Sequence, residues 1–175
     1  MADPVVGIVM GSDSDLSVMR QTVEALEEFA LPCEVRVLSA HRTPDETLAW
    51  SRGAADRGLQ VLIAGAGMAA HLPGVIAAVT SLPVIGVPIS GRNLDGLDSL
   101  LAIAQMPPGV PVATVAVDGA RNAGILAARI LGATDEEIRG RVDAFRERLA
   151  DKVRERDVAV RGEFDPQESR GFGFG

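Results

Sequence analysis

An open, parallel α/β sheet is the fold this sequence predicts, and three observations carry the prediction. Short apolar runs alternate with longer amphipathic ones, the pattern of repeated strand–helix units. The short runs are almost continuously apolar, as strands covered on both faces are. The chain has 175 residues, 47% of them hydrophobic, which suffices for one domain with a proper core. Together these features give a three-layer αβα arrangement with helices on both faces of the sheet.

The elements follow in order. "VVGIVM" (5–10) reads as a buried strand. From Leu16 to about Ala30 a helix is expected, with Met19, Val23, Leu26 and Ala30 on one face. "CEVRVL" (33–38) alternates like a strand. Thr43-Pro44-Asp45-Glu46 is a helix start: Thr43 caps, Pro44 fits the first turn and Glu46 reaches back, and the helix is expected to run to Gly58. "VLIA" (61–64), "PVIGVP" (83–88) and "VATVAV" (112–117) are the remaining strands. Helices are expected between and after them at 72–80, 94–105 and 120–131. A second capping box, Thr134…Glu137, opens a long last helix, about 134–160, whose apolar stripe is Ile138, Val142, Phe145, Leu149 and Val153. Residues 1–161 are thus expected to form a single α/β domain, and 162–175, which lack any period, a disordered tail.

Five strands in such units fit the flavodoxin-like order 2-1-3-4-5 with a long C-terminal helix added. Ligands of these sheets bind beyond the carboxyl ends of the strands, near the switch between strands 1 and 3. The loops there read "GSDSD" (11–15), "SAHRT" (39–43), "AGAGMAAHLPG" (64–74) and "PISGRNLDG" (88–96), and both histidines of the chain fall among them.

Composition excludes several function classes. A net charge of −7 argues against a nucleic-acid surface or a polybasic membrane patch. No apolar run has the length of a membrane span, and "MADPVVGIVMGS" lacks the basic start of a signal peptide. The single cysteine, Cys33, can neither pair within the chain nor build a zinc cluster, so a cytoplasmic setting is expected. The single lysine, Lys152, lies in the charged last helix, which disfavours Schiff-base and Walker-type chemistry. With no tyrosine and one tryptophan, the chain offers little platform for a flavin.

The loops supply the candidate chemistry. In "GSDSD", Ser12 and Ser14 offer hydroxyls, the following amides favour phosphate, and Asp15 accepts from sugar hydroxyls; the same residues also serve as ordinary turn and cap residues. His41 can move a proton in either direction, and Arg42 beside it is a fixed cation for phosphate or carboxylate. Position at the carboxyl end of a strand favours this reading over a histidine that merely satisfies its loop. His71 either contacts a ligand or organises its loop. The run Gly65-Ala66-Gly67 with Ala69-Ala70 is too small for chemistry but presents backbone amides. The histidines and acids show no metal-ligand spacing, and no Gly-x-Ser-x-Gly elbow supports a nucleophilic triad.

"GSDSD" followed by Met19, then "SAHRTP", "AGAGMAAHLPG", "PVIGVP", "LDGLDSLLAIAQMPPGVPVATVAV" and "NAGILAARIL", in this order across residues 5–132, resemble the class I N5-carboxyaminoimidazole ribonucleotide mutases, the phosphoribosylaminoimidazole carboxylase catalytic subunit family of purine biosynthesis. "SAHRTP" resembles class I more than the animal-type carboxylases, whose loop is closer to Ser-Ala-His-Lys-Gly-Pro. The resemblance implies transfer of a carboxylate from the exocyclic nitrogen to C4 of the imidazole, with no metal, nucleotide or organic cofactor. It implies that His41 is the general acid and base. Asp15 falls to the ribose, Arg42 to the phosphate, and Ser12 and Ser39 to hydrogen bonding. The segment Ala66, Gly67, Ala69 and Ala70 falls to the base and the migrating carboxylate, and His71 and Leu72 to shaping that pocket. It further implies a homo-octamer with C-terminal helices reaching across neighbours, and a functional link to an ATP-dependent synthetase of the substrate. Met68 departs from the family, standing where related microbial sequences often have glycine, and Arg92 in "SGRNLDG" is either a lid cation or solvated.

Three other readings compete: a carboxylase of the same superfamily using carbon dioxide directly, a flavin- or nucleotide-binding module, and a phospho-acceptor receiver domain. The receiver needs an aspartate after strand 3 and a lysine after strand 5, where this chain has Ala64-Gly65 and Val117-Asp118.

Overall fold

The computed structural model describes residues 3–92 and 94–164. Its centre is a five-stranded parallel sheet in the order β2-β1-β3-β4-β5, as the sequence predicts. The strands are β1 (Val6–Met10), β2 (Cys33–Val37), β3 (Val61–Gly67), β4 (Val84–Ile89) and β5 (Ala113–Thr114). The helices are α1 (Leu16–Glu28), α2 (Pro44–Arg52), α3 (Leu72–Ala77), α4 (Leu97–Ala104), α5 (Ala120–Leu131) and α6 (Glu136–Phe164).

Strand alternation divides the core into two layers. Ile8 and Met10 of β1 point to one face with Ile63, Ile85 and Val87, and pack under α1, α5 and α6. Val9, Leu62 and Ala64 point to the other and pack against Trp50, Leu72, Ile76 and Ile103 of α2, α3 and α4. On the first face α1 and α5 approach so closely that a Cβ at Gly124 would lie 2.8 Å from the Cβ of Ala25. The Phe29 and Phe145 rings meet edge to face at 5.2 Å and hold α6 to that layer.

Several element ends differ from the sequence expectation, each for a local reason. α1 stops at Glu28 because Ala30 turns left-handed (φ 52), letting the amides of Ala30 and Leu31 close on Glu27 and Leu26. α2 stops at Arg52 rather than Gly58. The Arg57 guanidinium folds back to donate to the Trp50 carbonyl at 3.1 Å and pairs with Glu34, which also accepts from the Trp50 indole at 2.7 Å. α3 ends early, at Ala77, where Val79 N donates to Ile76 O at 3.0 Å in a tighter turn, and Thr80 Oγ1 accepts from the Leu82 amide just beyond. α4 begins at Leu97, after two left-handed residues, Asp95 (φ 48) and Gly96 (φ 88). β5 is cut to two residues: Val115 still donates to Gly86, but the next ladder bond would need an N–H from Pro88, which has none.

Both expected capping boxes are replaced. Thr43 makes no cap; its hydroxyl accepts from the Ser39 amide at 2.9 Å instead. Thr134 still belongs to the turn after α5, and Asp135 caps α6 by accepting from the amides of Glu137 and Ile138 at 2.9 and 3.0 Å. α6 continues to Phe164, past the point where the tail was expected to begin; the rest of that tail lies outside the described residues. Only Val142 and Phe145 of α6 are buried, while Leu149 and Val153 of the expected stripe stand exposed.

Gly86, in the middle of β4, lets α4 seat on the sheet: a Cβ there would collide with Ile103 Cγ2 and lie 2.9 Å from Val112 Cγ1. Gly86→Ala should therefore destabilise the fold by about 1–3 kcal/mol through overpacking, read as a lower midpoint in urea without a change in slope.

Candidate active site

Parallel strands bring their carboxyl ends to one edge, and four loops open there around a cleft of about 920 Å³. The first loop leaves β1 at Gly11. Ser12 is extended, and its Oγ accepts from the Ser14 amide at 3.3 Å and donates to Asp13. Ser14 Oγ donates to Asp15 Oδ1 at 3.2 Å. Burial pushes the Asp15 carboxyl above its ordinary value of 3.8, against the opposing hydrogen bonds from Ser14 and the Ser12 backbone.

The second loop follows β2. The Ser39 hydroxyl accepts from the Arg42 amide at 3.3 Å and from Arg42 Nε at 3.4 Å. Arg42 Nη2 crosses to the first loop and donates to the Gly11 carbonyl at 2.8 Å. The guanidinium is thus fixed between two loops with donors left to face the cleft.

The third loop follows β3. It tightens through Ala70 N donating to Met68 O and His71 N donating to Ala69 O, both at 2.8 Å. Its turn places Met68 in the left-handed region at φ 53, which costs a non-glycine residue ~1–2 kcal/mol. It also brings His71 Nδ1 to 2.9 Å from His41 Nε2, with the rings edge to face at 5.0 Å. One of these nitrogens must carry the shared proton and the other must accept it. The fourth loop follows β4. Asp118 holds it, with its amide donating to Pro88 O at 2.8 Å and its Oδ1 accepting from Ser90 N at 2.9 Å.

The cleft gathers most of the residues the sequence singles out. Ser12, Asp15, Ser39, His41 and Arg42 line it from the first two loops. Ala66 and Gly67 line it from the end of β3, Ala69 from the third loop and Leu72 from the start of α3. Two expected residues do not line it: Ala70 is fully buried beneath the loop, and His71 reaches the cleft only through its contact with His41. Ile89, Ser90 and Gly91 belong to the fourth loop expected at the site but are not singled out as site residues by the sequence; they reach the cleft because β4 lies beside β3. Arg92 stands exposed in the lining, on the cleft side rather than merely solvated. Cys33 is half-buried at the amino end of β2, remote from these loops, and burial pushes its thiol up. A smaller concavity of about 450 Å³, beside Arg129, Arg139 and Arg146, shares no residue with the four loops.

Asp15 gives the site a pH signature. Its folded-state titration lies above 3.8, so the ligand-free fold binds that proton more tightly than the unfolded chain does. Stability from this group is therefore lost as pH rises from 3.8 through the raised value. Asp15→Asn should be more stable than the native protein near neutral pH, with the advantage shrinking as pH falls toward 3.8, measured by urea unfolding across that range.

Comparison with known proteins places this geometry in a lineage. A family model described as AIR carboxylase matches residues 5–152. The N5-carboxyaminoimidazole ribonucleotide mutase of Mycobacterium tuberculosis is 60% identical over 157 residues, covering 90% of this chain and 90% of its own. The protein of the same name from Thermotoga maritima is 57% identical over 153 residues, covering 87% of this chain and 90% of its own. The crystal structure of Treponema denticola PurE matches with a TM-score of 0.82 at 30% identity, over 90% of this chain and 98% of that one. The family model spans most of the chain and includes all four cleft loops: the chain belongs to the AIR carboxylase family.

Proposed function

We propose that the chain is an N5-carboxyaminoimidazole ribonucleotide mutase that moves the carboxylate to C4 of the imidazole with His41 as acid and base. The observation that carries the reading is the placement of His41 at the junction of two different surroundings. On one side stand the polar loops with Ser12, Asp15 and Arg42, and on the other the small apolar loop after β3. A phosphorylated ribose suits the first and a planar ring the second. The relatives that share most of the chain carry this activity in their names.

The chemistry then runs as one proton in and one proton out. His41 gives a proton to the carbamate nitrogen, the N–C bond breaks, and carbon dioxide and a free exocyclic amine result. C4 of the electron-rich ring attacks that carbon dioxide. His41, now neutral, removes the C4 proton and the ring regains aromaticity. The contact with His71 fixes the imidazole's orientation before substrate arrives. Arg42 holds the phosphate, Asp15 the ribose, and Ser12 and Ser39 the remaining polar atoms. The backbone of Ala66, Gly67 and Ala69 faces the base, with Ala70 and Leu72 supporting it from below. No step calls on a metal or an organic cofactor.

We read the working form as a cytoplasmic homo-octamer acting after an ATP-dependent synthetase of its substrate. The uncovered apolar residues on the outer half of α6, Val153 at 64% and Val158 at 68% exposure, support assembly through that helix. Among the described residues no helix is long and apolar enough to cross a membrane.

His41→Asn should keep the fold and bind the nucleotide while turnover falls by at least ~10²-fold, the scale of a lost general acid–base. Arg42→Ala should mainly raise KM, because a phosphate contact is common to ground and transition states. Steady-state kinetics with calorimetric binding check both, and near-normal turnover by the His41 variant would sink the assignment.

A further inference from the structure

We propose that the Met68 side chain is an apolar cover that keeps the released carbon dioxide beside the ring during turnover. The inference rests on the mutase reading and names a device of this chain that the reaction scheme does not require.

Sheet order divides the cleft into two halves. The loops after β1 and β2 contribute Ser12, Ser14, Ser39, Asp15 and the Arg42 guanidinium. The end of β3, the loop after it, the start of α3 and the last residue of β4 contribute Ala66, Gly67, Ala69, Leu72 and Ile89, a wall of small or apolar groups, with Ser90 and Arg92 following on the β4 loop. His41 sits on the seam, bonded to His71 of the β3 loop. Carbon dioxide is uncharged and forms weak hydrogen bonds, so the apolar half is where it competes best with water.

Met68 stands over that half. It lines the cleft with 64% of its surface exposed, a long apolar side chain among polar and small neighbours. It faces Gly91 of the β4 loop: a Cβ built on Gly91 would lie 3.5 Å from Met68 Cγ, in ordinary contact. That opposite loop is held at its root, because Asp118 bonds Pro88 and Ser90. The side chain therefore reaches from a tight, left-handed turn of the β3 loop toward an anchored part of the β4 loop. A flexible thioether can follow the ring as it enters and leaves. Strain tolerated at such a position is characteristic of groups placed for function.

The test compares product partition. Without the cover, carbon dioxide escapes after the N–C bond breaks, and the nucleotide leaves as aminoimidazole ribonucleotide rather than as the 4-carboxy product. Native protein, Met68→Gly, Met68→Gln and Met68→Leu are each given N5-carboxyaminoimidazole ribonucleotide without ATP or added bicarbonate. Both products are counted after subtracting spontaneous decarboxylation. Glycine adopts φ 53 freely, so Met68→Gly relieves the backbone while removing the cover. Met68→Gln keeps the length and the strain but makes the end polar. The share of decarboxylated product should rise several-fold in both, and Met68→Leu should restore the native partition. An unchanged partition in the Gly and Gln variants, with native enzyme active, overturns the cover alone. A native protein that forms no 4-carboxy product overturns the mutase reading and the cover with it.

Discussion

Met10 pairs with Val37 on one side and with Gly65 on the other, and that register decides where every reactive side chain lies. Gly67 pairs with Ile89 in the same way. Because all four strands run parallel, their exits fall at one edge, and loops from residues 11 to 92 share one cleft. A one-residue slip of β1 would exchange the Ile8/Met10 face for the Val9 face and move the first loop by ~3.3 Å. The two buried layers forbid such a slip, because Met10 and Val9 are both almost fully covered. Core packing thus enforces the distance between His41 and His71, residues thirty positions apart in the chain.

Electrostatics in the cleft runs against the molecule as a whole. The chain carries a net charge of −7, yet the proposed substrate is an anion. Arg42 and Arg92 provide cations in the cleft lining, and Arg42 is held in place by a carbonyl and a hydroxyl, leaving its charge unpaired by any carboxylate among the described ion pairs. Asp15 is the one carboxyl of the lining and is held partly desolvated at a cost to the empty fold. A ribose hydroxyl donating to it would recover part of that cost, so the group is better suited to the complex than to the free protein. The same trade appears in Met68, whose backbone is strained while its side chain stands over the cleft.

Much of this was legible in the sequence. Apolar runs located all five strands, and five strand–helix units fit the flavodoxin-like order that the sheet has. The loops at the carboxyl ends were located with them, so nine expected residues meet in one cleft: Ser12, Asp15, Ser39, His41, Arg42, Ala66, Gly67, Ala69 and Leu72. What was not legible is non-local. The Thr43 signal is a sound capping pattern, but the Ser39 amide competes for the same hydroxyl, and only the folded loop decides between them. The end of β5 depends on Pro88 in a neighbouring strand, not on its own apolar run. The His41–His71 contact joins two loops whose separation no local pattern encodes. Ile89 and Ser90 lie in a loop expected at the cleft, but their residue types alone do not mark them as lining.

The most direct measurement is a paired, ATP-free assay of the purified protein followed by ring absorbance. One arm supplies 4-carboxyaminoimidazole ribonucleotide, and the other supplies aminoimidazole ribonucleotide with bicarbonate. The account predicts loss of the 4-carboxy compound in the first arm and little net carboxylation at ordinary bicarbonate in the second. Efficient carboxylation in the second arm would make the protein a carboxylase using carbon dioxide directly, and silence in both would leave the family's fold without its chemistry; either result contradicts the account.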